Sequence, residues 1–131
     1  MKPDLKSKFT FRNRLDSFKY ALKGIKHLFR YEHNAWIQAT AAIFIIALGF
    51  ILHISKTEWA LIIICIGLVF MAEILNTALE LMVDHVSPEF NERAGKIKDL
   101  AAGGVLICSI VSLLVGLIVI LPKLIAYAAN K

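Results

Sequence analysis

Glu73, Asn76, Glu80 and Asp84 recur at steps of three, four and four, which at about 100° per residue puts all four side chains on one face of a helix. The run leads out of Trp59–Met71, a stretch without a single charged residue. A carboxylate inside a bilayer costs at least about 2.5 kcal/mol, so an intramembrane Glu is a functional residue by default and needs a partner. Enclosed by Leu, Ile and Ala, a carboxylate loses hydration and takes up a proton more readily than one in water, which makes Glu73 a candidate general base. Glu80 and Asp84 lie about two and three turns nearer the polar end of the span. There they can hold a hydrated divalent cation, because Mg²⁺ usually takes one or two carboxylates together with substrate phosphates. Glu32, beside the start of the first span, is a second candidate ligand at the same depth. By position alone, Glu80 and Asp84 are equally well the charges that end a span.

The polar segment Val83–Leu100 supplies further parts: Lys98 as a point charge for a phosphate, Arg93 and Lys96 nearby, and Asp99 as another carboxylate. A base, metal ligands and phosphate cations together are the components of phosphoryl transfer. Read without the rest, Lys98 and Asp99 are a solvated loop pair. Gly95-Lys96 lacks both the earlier Gly and the following Ser/Thr of a Walker P-loop, and there is no kinase-type Gly-rich loop. A nucleotide site must therefore be built from helix ends and charged side chains. His27, His33, His53 and His85 are scattered, and Cys65 and Cys108 each sit in an apolar run with no ligand at metal spacing, as small buried hydrophobes do.

The elements that must position these groups follow from hydropathy. The chain is 131 residues long, 58% hydrophobic, with a mean hydropathy of +0.67, which places it in the membrane class as one domain spanning 1–131. Its net charge of +5 does not point to nucleic acid, because the cations gather beside the first span, where they suit anionic headgroups. Phe11, Leu15, Phe18, Leu22, Ile25 and Phe29 alternate steps of four and three with Lys and Arg between them. That pattern predicts an amphipathic helix over about 11–30 lying in the membrane interface. Three spans follow, about 35–54, 59–82 and 101–121, each near the ~20 residues that cross the hydrocarbon. Ser55–Glu58 makes a tight hairpin between the first two, Ser87-Pro88 marks a turn in the second connection, and Pro122-Lys123 closes the last span. Some thirty polar and amphipathic residues precede the first long apolar stretch, so no secretory signal is expected.

Nine Lys/Arg precede the first span and three lie between Val83 and Leu100, against one in the short loop and two at the C-terminus. The positive-inside rule then puts the N-terminus and the 83–100 segment in the cytoplasm. In the third span Gly104, Cys108, Ser112 and Gly116 form a ridge of small residues, which is either a close-approach surface for another helix or ordinary small-residue usage.

The run Glu73-Ile74-Leu75-Asn76-Thr77-Ala78, then Glu80, Val83-Asp84, Glu89 and Ala94-Gly95-Lys96-Ile97-Lys98-Asp99, resembles the signature of the bacterial integral-membrane diacylglycerol kinase and undecaprenol kinase family. Ser17-Phe18-Lys19-Tyr20-Ala21 with Gly24 resembles the family's surface helix, and Glu32-His33-Asn34 its entry to the first span. The resemblance implies a homotrimer in the bacterial cytoplasmic (inner) membrane, with three transmembrane helices per subunit and active sites shared between neighbours. It implies a kinase that uses ATP and Mg²⁺ to phosphorylate the hydroxyl of a membrane lipid alcohol, diacylglycerol or undecaprenol. By the same resemblance Glu73 and Asn76 are catalytic, and Glu73 and Ala102 contact the lipid. Glu32 and Glu80 hold the metal, and Arg14, Tyr20, Glu32, Glu80, Glu89, Phe90, Asn91, Lys98 and Asp99 form the ATP site. One departure is that Asn13, flanked by Arg12 and Arg14, stands where the family often has Arg. Ser87-Pro88-Glu89 is more like the undecaprenol kinase branch. The rival readings from other classes are a transporter subunit in which Glu73 and Glu80 carry a proton or cation, and a non-catalytic membrane scaffold.

Overall fold

Hydrocarbon offers no partner to a backbone N–H or C=O, so an apolar chain of this composition must close its hydrogen bonds within helices or a barrel. The computed structural model describes residues 11–89 and 91–130, and among them it contains four helices and no strand. They are α1 (Phe11–Tyr31), α2 (His33–Ile51), α3 (Lys56–Val86) and α4 (Glu92–Ala129). The last three are long and apolar enough to cross a membrane. This is the all-helical, three-span architecture expected from hydropathy, and Phe44, Ile63 and Ile118 turn outward as lipid-facing side chains do. The main helix pair is α3 with α4, and α2 packs chiefly on α3.

The hairpin between α2 and α3 is as short as expected but sits at residues 52–55, because Lys56–Glu58 belong to the helix. Ser55 is the N-cap of α3, its hydroxyl accepting from Glu58 N at 3.3 Å while the Glu58 carboxylate accepts from Ser55 N at 2.6 Å. This reciprocal capping box satisfies two of the donors that a helix start leaves open, so α3 begins at Lys56 rather than Trp59. His53 takes a left-handed conformation with φ 48° to turn the chain, and Ile54 N returns to Gly49 O at 3.2 Å. Gly49 is buried under the Trp59 ring: a Cβ there would stand 2.9 Å from the indole. The Trp59 ring also meets Phe50, with centroids 4.8 Å apart. Beneath them Ile54, Ile62, Val119 and Ile120 form the apolar core.

The helix that carries the third span runs past it at both ends. α4 starts at Glu92, well before 101, because Asn91 caps it: the Asn91 Oδ1 accepts from Arg93 N at 2.9 Å. Glu92 then complements the helix dipole and pairs with Lys96 one turn on at 2.8 Å, a stabilising i,i+4 arrangement. Nor does Pro122 end the helix, which continues to Ala129 with the proline inside it. Proline removes one backbone donor, and here Lys123 ties the continuing turn to Glu58 at the start of α3, N–O 3.2 Å. At about 1.5 Å per residue the 38 residues of α4 measure about 57 Å, so it extends well beyond the ~30 Å apolar layer.

The small-residue ridge packs over only part of its length. Ser112 Oγ donates to Cys65 O of α3 at 3.3 Å, and a Cβ on the buried Gly116 would lie 3.7 Å from Ile45 of α2, whereas Gly104 has open space beside it. Cys65 is buried and Cys108 half-buried, both as free thiols. The crowding at Gly49 generates a test. Gly49→Ala forces the rigid Trp59 ring outward and should lower unfolding stability in micelles by about 1–3 kcal/mol, the usual range for overpacking. Gly24→Ala, where nothing lies within 4 Å, should leave stability unchanged or raise it slightly.

Candidate functional site

Glu73 lies in the middle of α3 and is only 1% exposed, the largest fully buried side chain among the described residues. A buried carboxylate needs a hydrogen-bond partner. Gln38 of α2 supplies one: its Nε2 donates to Glu73 Oε2 at 2.7 Å. One turn along α3, Asn76, 8% exposed, donates from Nδ2 to Glu80 Oε1 at 2.9 Å. Each amide gives its nitrogen to a carboxylate and keeps a buried carbonyl oxygen that has no donor, Gln38 Oε1 and Asn76 Oδ1. The Thr77 hydroxyl, 6% exposed, is likewise buried without a partner.

These groups border a cleft of about 330 Å³ between the three spans. Asn34 and Gln38 come from α2, Glu73 and Asn76 from α3, and Ala102 and Ser109 from α4. Three residues singled out from the sequence, Glu73, Asn76 and Ala102, thus share one wall-to-wall space. Ile37, Val105 and Leu106 complete the lining, so apolar side chains share the cleft with a converging set of amide, carboxyl and hydroxyl groups. Such a space suits an amphiphile with a small polar end.

The remaining candidates are distributed along the polar ends of the helices. Glu32 joins α1 to α2 as the N-cap of α2 by its backbone, and its carboxylate makes no capping bond. Arg14 and Tyr20 are exposed on α1, the latter with Lys23 Nζ 5.3 Å from its ring centroid. Glu89 is exposed in the 87–91 connection and Asn91 caps α4, whereas Phe90 lies outside the described residues. Lys98 pairs across helices with Asp84, which corrects the Lys98–Asp99 loop reading: 98 and 99 are successive residues of a helix and point about 100° apart. None of Arg14, Tyr20, Glu89, Asn91, Lys98 or Asp99 lines the cleft. Among the described residues no three of His, Cys, Asp and Glu converge to hold a metal ion. A cation at Glu80 would accordingly draw most of its ligands from outside this chain's carboxylates, as Mg²⁺ does when it arrives on phosphates.

Gln38 escaped the sequence reading although the signal was there. It is the one amide inside the first apolar run, and a buried amide demands a partner just as Glu73 does.

The family model described as prokaryotic diacylglycerol kinase matches residues 19–120, which covers every residue lining the cleft. The chain belongs to the prokaryotic diacylglycerol kinase family. It is 39% identical over 108 residues to an undecaprenol kinase of Bacillus subtilis, covering 82% of this chain and 88% of that protein. To a diacylglycerol kinase of Synechocystis it is 36% identical over 115 residues, 87% of this chain and 66% of that protein. A diacylglycerol kinase of Haemophilus influenzae is 36% identical over 93 residues, 71% of this chain and 79% of that protein. Family membership, with three apolar helices, makes this a membrane protein of the kinase class.

The Lys98–Asp84 pair is solvent-facing, with the Asp84 side chain 62% exposed. Exposed pairs contribute little, so Asp84→Asn should change unfolding stability by less than about 1 kcal/mol when thermal unfolding is followed in detergent.

Proposed function

We propose that the chain is a lipid kinase that transfers the γ-phosphoryl group of MgATP to the hydroxyl of a membrane lipid alcohol. The observation that carries this reading is the buried Glu73 carboxylate, held by Gln38 at the wall of an apolar cleft in a chain of this kinase family. The relatives described above are an undecaprenol kinase and diacylglycerol kinases, and both lipids present a hydroxyl on an apolar body. Glu73 takes the hydroxyl proton, the lipid oxygen attacks the γ-phosphorus in line, and the bond to the bridging oxygen breaks as ADP leaves. Asn76 holds Glu80 in position by its 2.9 Å bond. Glu32 and Glu80 would hold the Mg²⁺ that ATP brings, whose chemistry is to neutralise phosphate charge. Lys98 leaves Asp84 for a phosphate, and Arg14, Tyr20, Glu89, Phe90, Asn91 and Asp99 make up the rest of the nucleotide site. Ala102 borders the lipid.

In this reading the N-terminus and residues 83–100 face the cytoplasm of a bacterial cell, on the charge distribution given above, and α1 lies in the interface with its cations toward headgroups. The enzyme works as a homotrimer.

Three experiments test this. In mixed micelles, MgATP consumption should require a lipid alcohol, and diacylglycerol and undecaprenol supplied side by side identify the acceptor. Glu73→Gln keeps the shape and removes the base, so turnover should drop by about 10²-fold or more while MgATP still binds; activity within a few-fold of wild type refutes the role. For the shared sites, subunits carrying Glu73→Gln are mixed with subunits carrying Glu80→Ala. Recovery of activity is expected, and none would mean that both residues act from one chain.

A further inference from the structure

Two of the side chains able to hydrogen-bond near the start of α2 serve backbone nearby. Trp36 Nε1 donates to Phe29 O at 2.7 Å and Thr40 Oγ1 to Trp36 O at 2.8 Å. Gln38 alone reaches a side chain of another helix, and that side chain is the buried Glu73. We infer that Gln38 is a positioning residue for the reaction: its amide nitrogen occupies Glu73 Oε2 and so presents Oε1 to the lipid hydroxyl. This rests on Glu73 acting as the base.

A base must have an oxygen free to accept, and Gln38 meets Glu73 with Nε2, the donor end of its amide, while Oε1 turns elsewhere. With Oε2 engaged at 2.7 Å, the carboxylate loses its freedom to rotate, and proton transfer gains a lone pair in a defined direction. Misplacement of a reacting group by about 1 Å is enough to cost about 10²-fold in rate.

The other end of the same amide argues against a purely structural role. Gln38 Oε1 is buried without a donor, and an unsatisfied acceptor cancels much of what one interhelical bond contributes. A residue retained only to hold α2 against α3 would be better replaced by an apolar side chain, in the way buried ion pairs often can be. Gln38 also borders the cleft itself, so its amide stands at the place where the hydroxyl must arrive.

The test measures kcat and KM in mixed micelles, with the assembled state of each variant checked by size-exclusion chromatography. Gln38→Met keeps the length and removes the donor, and should lower kcat by about 10- to 100-fold with both KM values within about threefold of wild type. Gln38→His restores a ring N–H at a similar reach and should regain most of the rate. In a Glu73→Gln background Gln38→Met should cost nothing more, because the group it orients is gone. Wild-type kcat in Gln38→Met, a change confined to KM, an equal further loss in the Glu73→Gln background, or failure of both single variants to assemble would each overturn the assignment. A wild-type protein that consumes no MgATP with either lipid overturns the kinase reading instead, and this inference with it.

Discussion

The hydrogen bond from Gln38 to Glu73 joins α2 to α3 at a fully buried carboxylate inside an apolar helix. Everything around it can be read as keeping those two helices in register. At the turn, the Ser55 capping box starts α3 at a defined residue, and the Trp59 ring against Gly49 sets how closely the helices approach. A shift of one residue along α2 would carry the Gln38 amide about 100° around the helix and away from its acceptor. α4 is then laid against α3 through Ser112 and the core around Val119 and Ile120, which brings Ala102 and Ser109 to the cleft.

The buried half of the site was legible because its signal is one of contrast. Glu73 and Asn76 stand out in an apolar run, and a polar residue at that depth has few explanations other than a partner or a reaction. Helix periodicity alone put them on one face, and the structure faces both toward Ala102. Gln38 carried the same contrast in a neighbouring span, but the pairing of one polar residue with another across helices depends on their rotation, which a single sequence does not encode locally.

The polar half read less clearly for a different physical reason. In water-exposed sequence Lys, Arg, Asp and Glu are ordinary, so spacing carries little contrast. Lys98 illustrates this: adjacent Asp99 seemed its natural neighbour, yet α4 begins at its Asn91 cap and turns Lys98 toward Asp84 of α3. The cap was visible as an Asn before a Glu, but the hydropathy criterion that defines a span ignores the polar turns preceding it. Pro122 misled in the opposite sense, because one missing donor near the end of a 38-residue helix does not outweigh the turns on either side.

The sequence separation of the central pair bears on how the protein is made. Gln38 and Glu73 are 35 residues apart and belong to consecutive helices, with only residues 52–55 between them. Closing a loop that short costs little entropy, and contacts between neighbouring elements form early. In N- to C-terminal synthesis the donor emerges from the ribosome before its acceptor. The group that would be costliest to leave alone in hydrocarbon has its partner in the helix translated just before it.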